Sequence, residues 1–347
     1  MKIALDGMGG DWAPANPVSG AIEALRRFPQ IERLYLVGRE ADLKAELDKH
    51  GPVSPRVEIV PALQVVEMGD AAIDSVRRKK DSSISRAVDL VKRGDAQAVV
   101  SAGHTGAAVA ASTVRLRTLP GVVRPGIATV MPTETNLFVL IDAGANIDAK
   151  PVHLGQYAIM GAAYSEHVLG YTNPSVGLMS IGTEEAKGND LTREVFKLLS
   201  ALPINFRGNV EGHDLFEHPV EVVVTDGFVG NVMLKTTESI AGAMLHWLKH
   251  ELAQNPVRMF GAMLARGAFR AIRRKTNYEE YGGSPLLGVN GVCIIAHGAS
   301  SPLAITNAIR VAAESISHDL NPHIVERIAA ARELFGPAEE AAPQPQA

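Results

Sequence analysis

Six short turns rich in glycine and polar residues hold most of the side chains in this chain that could do chemistry. Each turn follows an apolar run with strand character, and together they are I-A-L-D-G-M-G-G, V-V-S-A-G-H-T-G, V-L-I-D-A-G-A-N, L-M-S-I-G-T-E-E-A-K-G-N, V-V-V-T-D-G-F-V-G-N and I-I-A-H-G-A-S-S. In an open α/β sheet, ligands bind just outside the carboxyl ends of parallel strands. We therefore expect the six turns to converge on one site. Because they mostly lack an obvious nucleophile, they favour an enzyme that holds an anion and lets the substrate attack.

The turn at residues 101–106 has the composition of an anion site. Glycines let the backbone approach a ligand closely, and N–H groups at a helix start, with the hydroxyls of Ser101 and Thr105, would hold a phosphate. A tight strand–helix turn with a hydroxyl cap explains the same residues. The sequence has no G-x-x-x-x-G-K-[ST] motif. The candidate phosphate-binding residues are Ser101, Gly103, His104, Thr105 and Gly106.

Two further turns supply candidate catalytic residues. Lys187 lies in a glycine-flanked loop after a strand, where its charge could neutralise a phosphate or a developing oxyanion. Asn231 lies near the start of a helix, where its amide could orient a substrate oxygen. The alternatives are a solvated surface lysine and a residue that only caps the helix.

The remaining polar residues at the strand ends can either contact substrate or brace their own turns. Asn146, Asp226 and His297 are candidate substrate contacts, and His297 could also act as a general base. The first turn lacks the full G-x-G-x-x-G spacing of a dinucleotide site. Its Asp6 and Asp11 are expected to brace neighbouring loops rather than to bind a metal.

Strand and helix patterns alternate along the chain, which predicts a doubly wound, mostly parallel α/β sheet with helices on both faces. Helices are predicted at Ser83–Arg93, with Ser83 as the cap, and at Leu154–Leu169. Residues 1–336 are expected to form a single domain, followed by a disordered tail at 337–347. The predicted strands are Lys2–Leu5, Leu34–Val37, Val57–Val60, Ala98–Ser101, Ile127–Met131, Leu137–Asp142, Val176–Ile181, Val220–Thr225 and Gly291–Ala296.

Residues from about 228 to 275 depart from this alternation and predict a protruding arm of two long helices, broken near Asn255-Pro256. Pro256–Lys275 holds six basic residues and no acidic one. An apolar, basic arm on a mildly acidic chain requires a partner. One face of its second helix carries Val257, Phe260, Leu264, Ala268 and Ile272.

Composition narrows the class of protein. With 46% hydrophobic residues, the 347-residue chain can bury a substantial core. Its net charge of −4 argues against a general nucleic-acid binder. Cys293 is the single cysteine, so the chain has no internal disulfide, and a reducing, cytoplasmic setting is expected. The uncharged stretch Ala96–Val114 predicts a buried strand and helix rather than a membrane span.

The strings G-H-T-G-A, D-A-G-A-N, G-T-E-E-A-K-G-N and T-D-G-F-V-G-N, with M-G-G-D near the start, resemble the bacterial fatty acyl–acyl-carrier-protein:phosphate acyltransferase family of phospholipid synthesis. The resemblance covers roughly Lys2 to Ala331, and its specificity lies in the order and joint presence of the strings. It implies transfer of a long-chain fatty acyl group from acyl carrier protein to inorganic phosphate, without cofactor or metal. It also implies the fold of phosphotransacetylases and the isocitrate-dehydrogenase-like group, a homodimer, and a cytoplasmic protein that associates peripherally with the membrane.

The implied reaction suits the residues of the turns. Phosphate is itself a nucleophile, so no enzyme serine or cysteine is required, and the enzyme has only to position phosphate and stabilise the oxyanion. The turn at 101–106 is then expected to hold phosphate, while Lys187 and Asn231 support the transition state. Asn is common in the family where this chain has His104, and an amide-like hydrogen-bonding role fits both residues.

The resemblance also gives the arm partners, because acyl carrier protein is strongly acidic. Basic residues of the arm could attract it, and with apolar neighbours they could meet an anionic bilayer. Packing in a dimer interface is the alternative, and part of the arm is expected to serve it. The candidate contacts are Phe260, Leu264, Arg266, Phe269, Arg270, Arg273, Arg274 and Lys275.

Three other functions compete with this one. A short-chain phosphotransacetylase that uses a coenzyme A thioester would share the fold and the phosphate chemistry. A metal- and nicotinamide-dependent decarboxylating dehydrogenase would need clustered aspartates, and the sequence has no convincing set. A non-enzymatic scaffold that binds acyl carrier protein or the membrane would explain the arm, but not the glycine-rich strand ends.

Overall fold

The structure is a computed structural model that describes residues 1–217 and 220–335. It is built around one mixed sheet of 11 strands. Its strands are β1 Lys2–Asp6, β2 Arg33–Gly38, β3 Val57–Pro61, β4 Ala98–Ser101, β5 Gly126–Pro132, β6 Leu137–Ile141, β7 Ser175–Met179, β8 Asn205–Val210, β9 Val222–Val224, β10 Ser284–Leu287 and β11 Val292–Ile295. They lie in the order β3-β2-β1-β4-β11-β10-β5-β6-β9-β7-β8. The tail expected at 337–347 falls outside the described residues.

Helices connect most of the strands. In the described part of the chain they are α1 Ala15–Arg27, α2 Glu40–Asp48, α3 Ala72–Arg78, α4 Ser83–Lys92, α5 Thr105–Leu116, α6 Pro151–His167, α7 Asp190–Ala201, α8 Asp214–Glu217, α9 Gly227–Leu252, α10 Pro256–Leu264, α11 Arg266–Thr276, α12 Pro302–Ser317 and α13 Leu320–Ala330. The predicted cap of α4 is off by one residue, since Ser82 Oγ accepts the N–H of Ser85.

The sheet carries helices on both faces, as the alternation of strands and helices predicts. Ile3 and Leu5 pack in a core cluster with residues of α1 and α12. Ala4, between them on β1, faces the opposite way and packs with residues of α4 and α5. In the other half of the sheet, β6, β7 and β9 pack against α6. The predicted doubly wound, mostly parallel α/β fold is therefore confirmed.

Strand direction divides the sheet into two halves. β3, β2, β1, β4 and β11 are parallel to one another, and so are β6, β9, β7 and β8. Between them, β10 is antiparallel to both β11 and β5, and β5 is antiparallel to β6. The two parallel sets consequently run in opposite directions. The turns that follow their strands therefore form two groups, and these are linked because Ala143 and Ala145, after β6, pack in the same core cluster as Ala107 and Ala108 of α5.

Two strands are absent from the prediction. β8 lies at the sheet edge, carries Arg207 and Gly208 in its middle, and pairs irregularly with β7. β10 contains Pro285, which lacks a backbone N–H for the ladder. Neither segment has the apolar run that marks the other strands, so periodicity alone does not indicate them.

The arm contains three helices where two were predicted, because the second predicted helix ends at Leu264 and α11 starts at Arg266. The break separates the predicted apolar face into one part on α10 and another on α11. Neither helix has a buried residue, and Val257 and Leu264 are 82% and 70% exposed. Lys275 Nζ, at the end of the arm, donates to the carbonyl of Glu134. No helix in the described ranges is both long and apolar enough to cross a membrane.

Candidate functional site

Three of the six turns meet at the carboxyl ends of β1, β4 and β11, which are neighbours in the sheet. We call residues 6–11, 101–106 and 296–300 the first turn group. The N–H of Asp11 donates to the carbonyl of Gly298 at 2.8 Å. A Cβ on Gly9 would lie 2.7 Å from the nitrogen of Gly103, so glycine is required where these backbones touch.

A buried Asp6–Ser101 pair joins two of these turns. Ser101 Oγ donates to Asp6 Oδ2 at 2.8 Å and accepts the N–H of Gly103 at 3.1 Å. Asp6 Oδ1 also accepts the N–H of Met8 at 3.2 Å. Burial raises the pKa of the Asp6 carboxyl, while its hydrogen bonds to Ser83 and Ser101 oppose that shift. Both side chains are bonded to protein groups, so they shape the turn from within.

His104 caps the helix that follows. Its Nδ1 accepts the N–H of Ala107 at 3.2 Å, and α5 begins at the next residue. A neutral imidazole that accepts at Nδ1 carries its proton on Nε2. His104 can therefore offer an Nε2–H donor to a ligand while it caps α5, and an asparagine can combine the same two roles through its amide oxygen and nitrogen.

A small pocket lies within the first turn group. Of the predicted phosphate residues, Ser101, Gly103 and His104 line it, whereas the exposed Thr105 and the half-buried Gly106 do not. Its cavity volume is about 10 Å³, which is room for about one water molecule. Its full lining is Asp6, Met8, Gly9, Val65, Val66, Ser83, Ile84, Ser101, Gly103, His104 and Ala107.

Residues 63–71, which we call the cover segment, close one side of this pocket through Val65 and Val66. Lys79 Nζ holds the segment by donating to the carbonyl of Val65 at 2.9 Å and to Asp70 Oδ2 at 2.6 Å. Hydrogen bonds from the Lys79 ammonium and from the N–H of Glu67 lower the pKa of Asp70. The sequence gives no sign of this segment, because it is irregular and has no apolar periodicity.

A second turn group lies at the ends of β6 and β9. The carboxylate of Asp142 accepts the N–H groups of Ile127, Gly144, Ala145 and Asn146 at 2.7–3.1 Å. Burial nevertheless raises its pKa. Asp142 therefore braces its own turn, which is one of the two roles considered for polar residues at the strand ends.

Two of the candidate substrate contacts belong to this second group and are bonded within it. The Asn146 amide nitrogen donates to the carbonyl of Pro125 and to the hydroxyl of Tyr157, each at 2.7 Å. Asp226 Oδ1 caps α9 by accepting the N–H groups of Phe228 and Val229, each at 2.9 Å. Both side chains thus have a structural role.

His297, the third candidate contact, lies in the first turn group and is exposed. Its Nδ1 accepts the N–H of Ala299 at 3.1 Å, which braces the turn after β11. This matches the alternative in which the histidine bonds a nearby backbone group.

The candidate catalytic residues lie with the second half of the sheet. Lys187 follows β7 and Asn231 follows β9, and these two strands are neighbours. Both side chains are exposed, and neither makes a side-chain hydrogen bond to another described residue. They do not line the pocket. Leu234, three residues after Asn231 on α9, packs in the same core cluster as Ala107 and Ala108 of α5, the helix that His104 caps. The exposed side chains of Lys187 and Asn231 are available to a substrate.

One other cluster has the composition of a metal site. Within the described ranges, ligand atoms of Glu211, His213 and Asp214 lie within 4.8 Å of one another. The cluster follows β8, and its residues are half-buried or exposed. It shares no residue with the pocket or with the candidate catalytic residues.

Comparison with known proteins decides the family. Residues 1–322 match the family model described as "Fatty acid synthesis protein". This chain belongs to that family. It is 56% identical to a phosphate acyltransferase of Akkermansia muciniphila, over 95% of this chain and 96% of that protein. It is 46% identical to a phosphate acyltransferase of Geobacter sulfurreducens, over 94% of each chain.

Solved structures support the fold of this chain. A phosphotransacetylase from Streptococcus pyogenes superposes with a TM-score of 0.62 at 18% identity, over 91% of this chain and 93% of the other. A branched-chain phosphotransacylase from Enterococcus faecalis gives a TM-score of 0.56 at 14% identity, over 92% and 99% of the two chains. At these identities the likeness concerns the fold alone.

Proposed function

We propose that the chain transfers a long-chain fatty acyl group from acyl carrier protein to inorganic phosphate, giving acyl phosphate and free carrier protein for phospholipid synthesis. Acyl transfer to phosphate is supported by the curated relatives, which are named phosphate acyltransferases and match at 46–56% identity over most of the chain. In the structure, the observation that carries the proposal is the pocket beside the first turn of α5.

Phosphate binds, in this proposal, at the mouth of the pocket. The N–H groups of Thr105 and Gly106 are in the first turn of α5, where N–H groups have no partner within the helix. Together with the Thr105 hydroxyl and His104 Nε2–H, they provide donors for an anion at the positive end of the helix. Ser101 and the N–H of Gly103 are already bonded to each other, so they hold the shape of the turn. Because the pocket has room for about one water, the cover segment must shift to admit phosphate.

The reaction needs no nucleophile from the enzyme. An oxygen of hydrogen phosphate attacks the thioester carbon, a C–O bond forms, and the carbonyl oxygen becomes an oxyanion. The C–S bond then breaks, and the carrier thiolate leaves with the former bonding electrons. The proton of hydrogen phosphate balances the reaction by ending on the free thiol. A thiol has a pKa of about 8.5, so the thiolate leaves without strong acid catalysis.

Lys187 and Asn231 support the transition state in this proposal, and their exposed, unbonded side chains are consistent with a contact to substrate. Removing one oxyanion donor typically costs about 3 kcal/mol, or roughly 100-fold in turnover. Lys187→Ala tests the role, with Lys197→Ala on α7 as an exposed lysine control. If both variants turn over at the rate of the parent enzyme, Lys187 has no catalytic role.

The arm is proposed to contact acyl carrier protein and an anionic membrane, and part of it to form a homodimer interface. Its exposed apolar residues and its basic residues on α11 support this assignment. Arg270→Glu with Arg273→Glu should weaken binding to acyl carrier protein, to phosphatidylglycerol vesicles, or to both. Reversal of Arg26 and Arg27 on α1 is the matched control. Unchanged affinity for both ligands would leave the arm only the dimer role.

One assay tests the reaction against its alternatives. The enzyme is incubated with long-chain acyl-carrier protein and phosphate, without metal or nucleotide, and acyl phosphate and free carrier thiol are measured. Equal production of both supports the proposal. Activity only with short-chain coenzyme A thioesters indicates a phosphotransacetylase, and binding without turnover indicates a scaffold.

A further inference from the structure

The turn that ends at Lys187 is tied to the sheet by a buried amide. Asn209 lies on the edge strand β8 and is 6% exposed, and its side-chain nitrogen donates to the carbonyl of Glu184 at 2.8 Å. The N–H of Lys187 donates to the same carbonyl at 3.0 Å. Asn209 therefore holds the carbonyl that closes the turn from Glu184 to Lys187.

Two further contacts define where the Lys187 side chain begins. Its stem lies against the buried Gly182, since a Cβ on that glycine would lie 2.7 Å from Lys187 Cγ. On the other side of Lys187, Arg193 of α7 donates to the carbonyl of Gly188 at 2.8 Å. Arg193 is exposed to water and also bonds Asp190, so the buried amide of Asn209 is the firmer tie.

The hydrogen bonds of Asn209 show what its amide contributes. A carbonyl only accepts, so the amide nitrogen must face Glu184, and the amide oxygen is then buried without a hydrogen-bond partner among the described residues. Burying a polar atom without a partner costs at least as much as one neutral hydrogen bond contributes. The amide therefore adds little to the stability of the fold, and its one bond is directed at the turn.

We propose that Asn209 is a positioning residue for the reaction. By fixing the Glu184 carbonyl, it sets the place from which the Lys187 side chain reaches the substrate. The proposal rests on the transition-state role given above to Lys187. A donor stabilises an oxyanion only if it already lies where the charge develops, and a displacement of about 1 Å can cost on the order of 100-fold in rate.

Asn209→Leu tests this role, because leucine has nearly the shape of asparagine but no donor. The substitution leaves the Glu184 carbonyl with a partner, since the N–H of Lys187 still donates to it. We expect kcat for acyl phosphate formation to fall by about 10-fold, which is less than the loss expected for Lys187→Ala. The KM for phosphate and the urea midpoint should stay unchanged, because Asn209 does not line the pocket and adds little to stability.

Ser180→Ala is the matched control. Ser180 is also buried beside this loop, where a Cβ on Gly188 would lie 3.0 Å from its Oγ. That Oγ has no hydrogen-bond partner in the described part of the chain, so its removal breaks no bond to the loop. Ser180→Ala should keep the kcat of the parent enzyme.

A double-mutant cycle measures whether Asn209 acts through Lys187. In protein that already carries Lys187→Ala, Asn209→Leu should change kcat by less than about 2-fold, because the side chain that it positions is gone. If the two substitutions instead multiply their effects on kcat, Asn209 acts by another route and the inference is overturned.

The outcomes separate this inference from the proposed function. If Lys187→Ala is slow but Asn209→Leu turns over at the parent rate, the inference fails and the function stands. If Lys187→Ala keeps the parent rate, the proposed role of Lys187 fails and this inference fails with it. A lower urea midpoint with an unchanged kcat would give Asn209 a structural role only. Should Asn209→Leu not fold, Asn209→Ala removes the same donor without adding bulk and replaces it in the cycle.

Discussion

Ser101→Ala removes one hydroxyl that has two hydrogen bonds at the centre of the first turn group. Its bond to Asp6 Oδ2 is 2.8 Å long and fully buried, and its bond from the N–H of Gly103 is 3.1 Å long and partly buried. Hydrogen bonds to a charged group contribute about 1.5–3 kcal/mol, and an N–H left without a partner costs about 1–3 kcal/mol when buried. Water can reach the Gly103 N–H in part, so the lower end applies there.

We therefore expect Ser101→Ala to lower the free energy of unfolding by about 3 kcal/mol, which is roughly 100-fold in the folding equilibrium. Urea unfolding followed by circular dichroism measures this as a lower midpoint at an unchanged m value. Ser165→Ala is the matched control, because Ser165 is also fully buried but its Oγ has no hydrogen-bond partner among the described residues. It should change the free energy by less than about 0.5 kcal/mol. Equal losses in the two variants would refute a stabilising Asp6–Ser101 pair.

Two further predictions concern helix packing. A Cβ on Gly20 would lie 2.5 Å from Ile305 Cβ between α1 and α12, so Gly20→Ala should cost about 1–3 kcal/mol. Gly242→Ala on exposed α9, where a Cβ meets nothing within 4 Å, should gain about 0.5–1 kcal/mol, and thermal unfolding compares the two. The ring of His167 stacks on that of His323 at 3.8 Å, and burial, with the charges of His323 and Arg327, lowers its pKa below 6.5. A lowered pKa favours the neutral ring in the folded protein, so the free energy of unfolding falls as the pH drops below 6.5. His167→Phe removes this titrating group and should therefore reduce the loss of stability between about pH 7 and pH 5. Urea unfolding at the two pH values measures the difference.

The sequence predicts the strands well where an apolar run ends in a glycine-rich turn. Ala98–Ser101 is such a strand, and its bounds match β4. The direction of each strand relative to distant strands leaves no local mark, because a buried strand has the same composition whichever way it runs. The antiparallel pairs of β10 and β5, which reverse the second half, could not be predicted for this reason.

Part of the candidate site could likewise be predicted from the sequence, and part could not. His104 stands out in the sequence because it opens a helix after a strand, and the structure adds that it caps this helix through Nδ1. Asp6 was expected to brace loops, which it does through Ser101, but its place in the pocket wall depends on a neighbour 95 residues away. Such long-range contacts are set by packing of the whole sheet and not by local spacing.

The position of β11 next to β4 has a consequence for the order in which the chain is made. β4 pairs with β1 on one side, but its other partner, in register from Val292 opposite Ala98, is about 190 residues further along the chain. A ribosome adds about 5–20 residues per second, so the growing chain carries an unpaired edge on β4 for on the order of 10–40 s. Exposed strand edges invite pairing with other chains. β4 therefore gains its second partner only after β11 has been made, and until then its free edge is open to pairing with other strands.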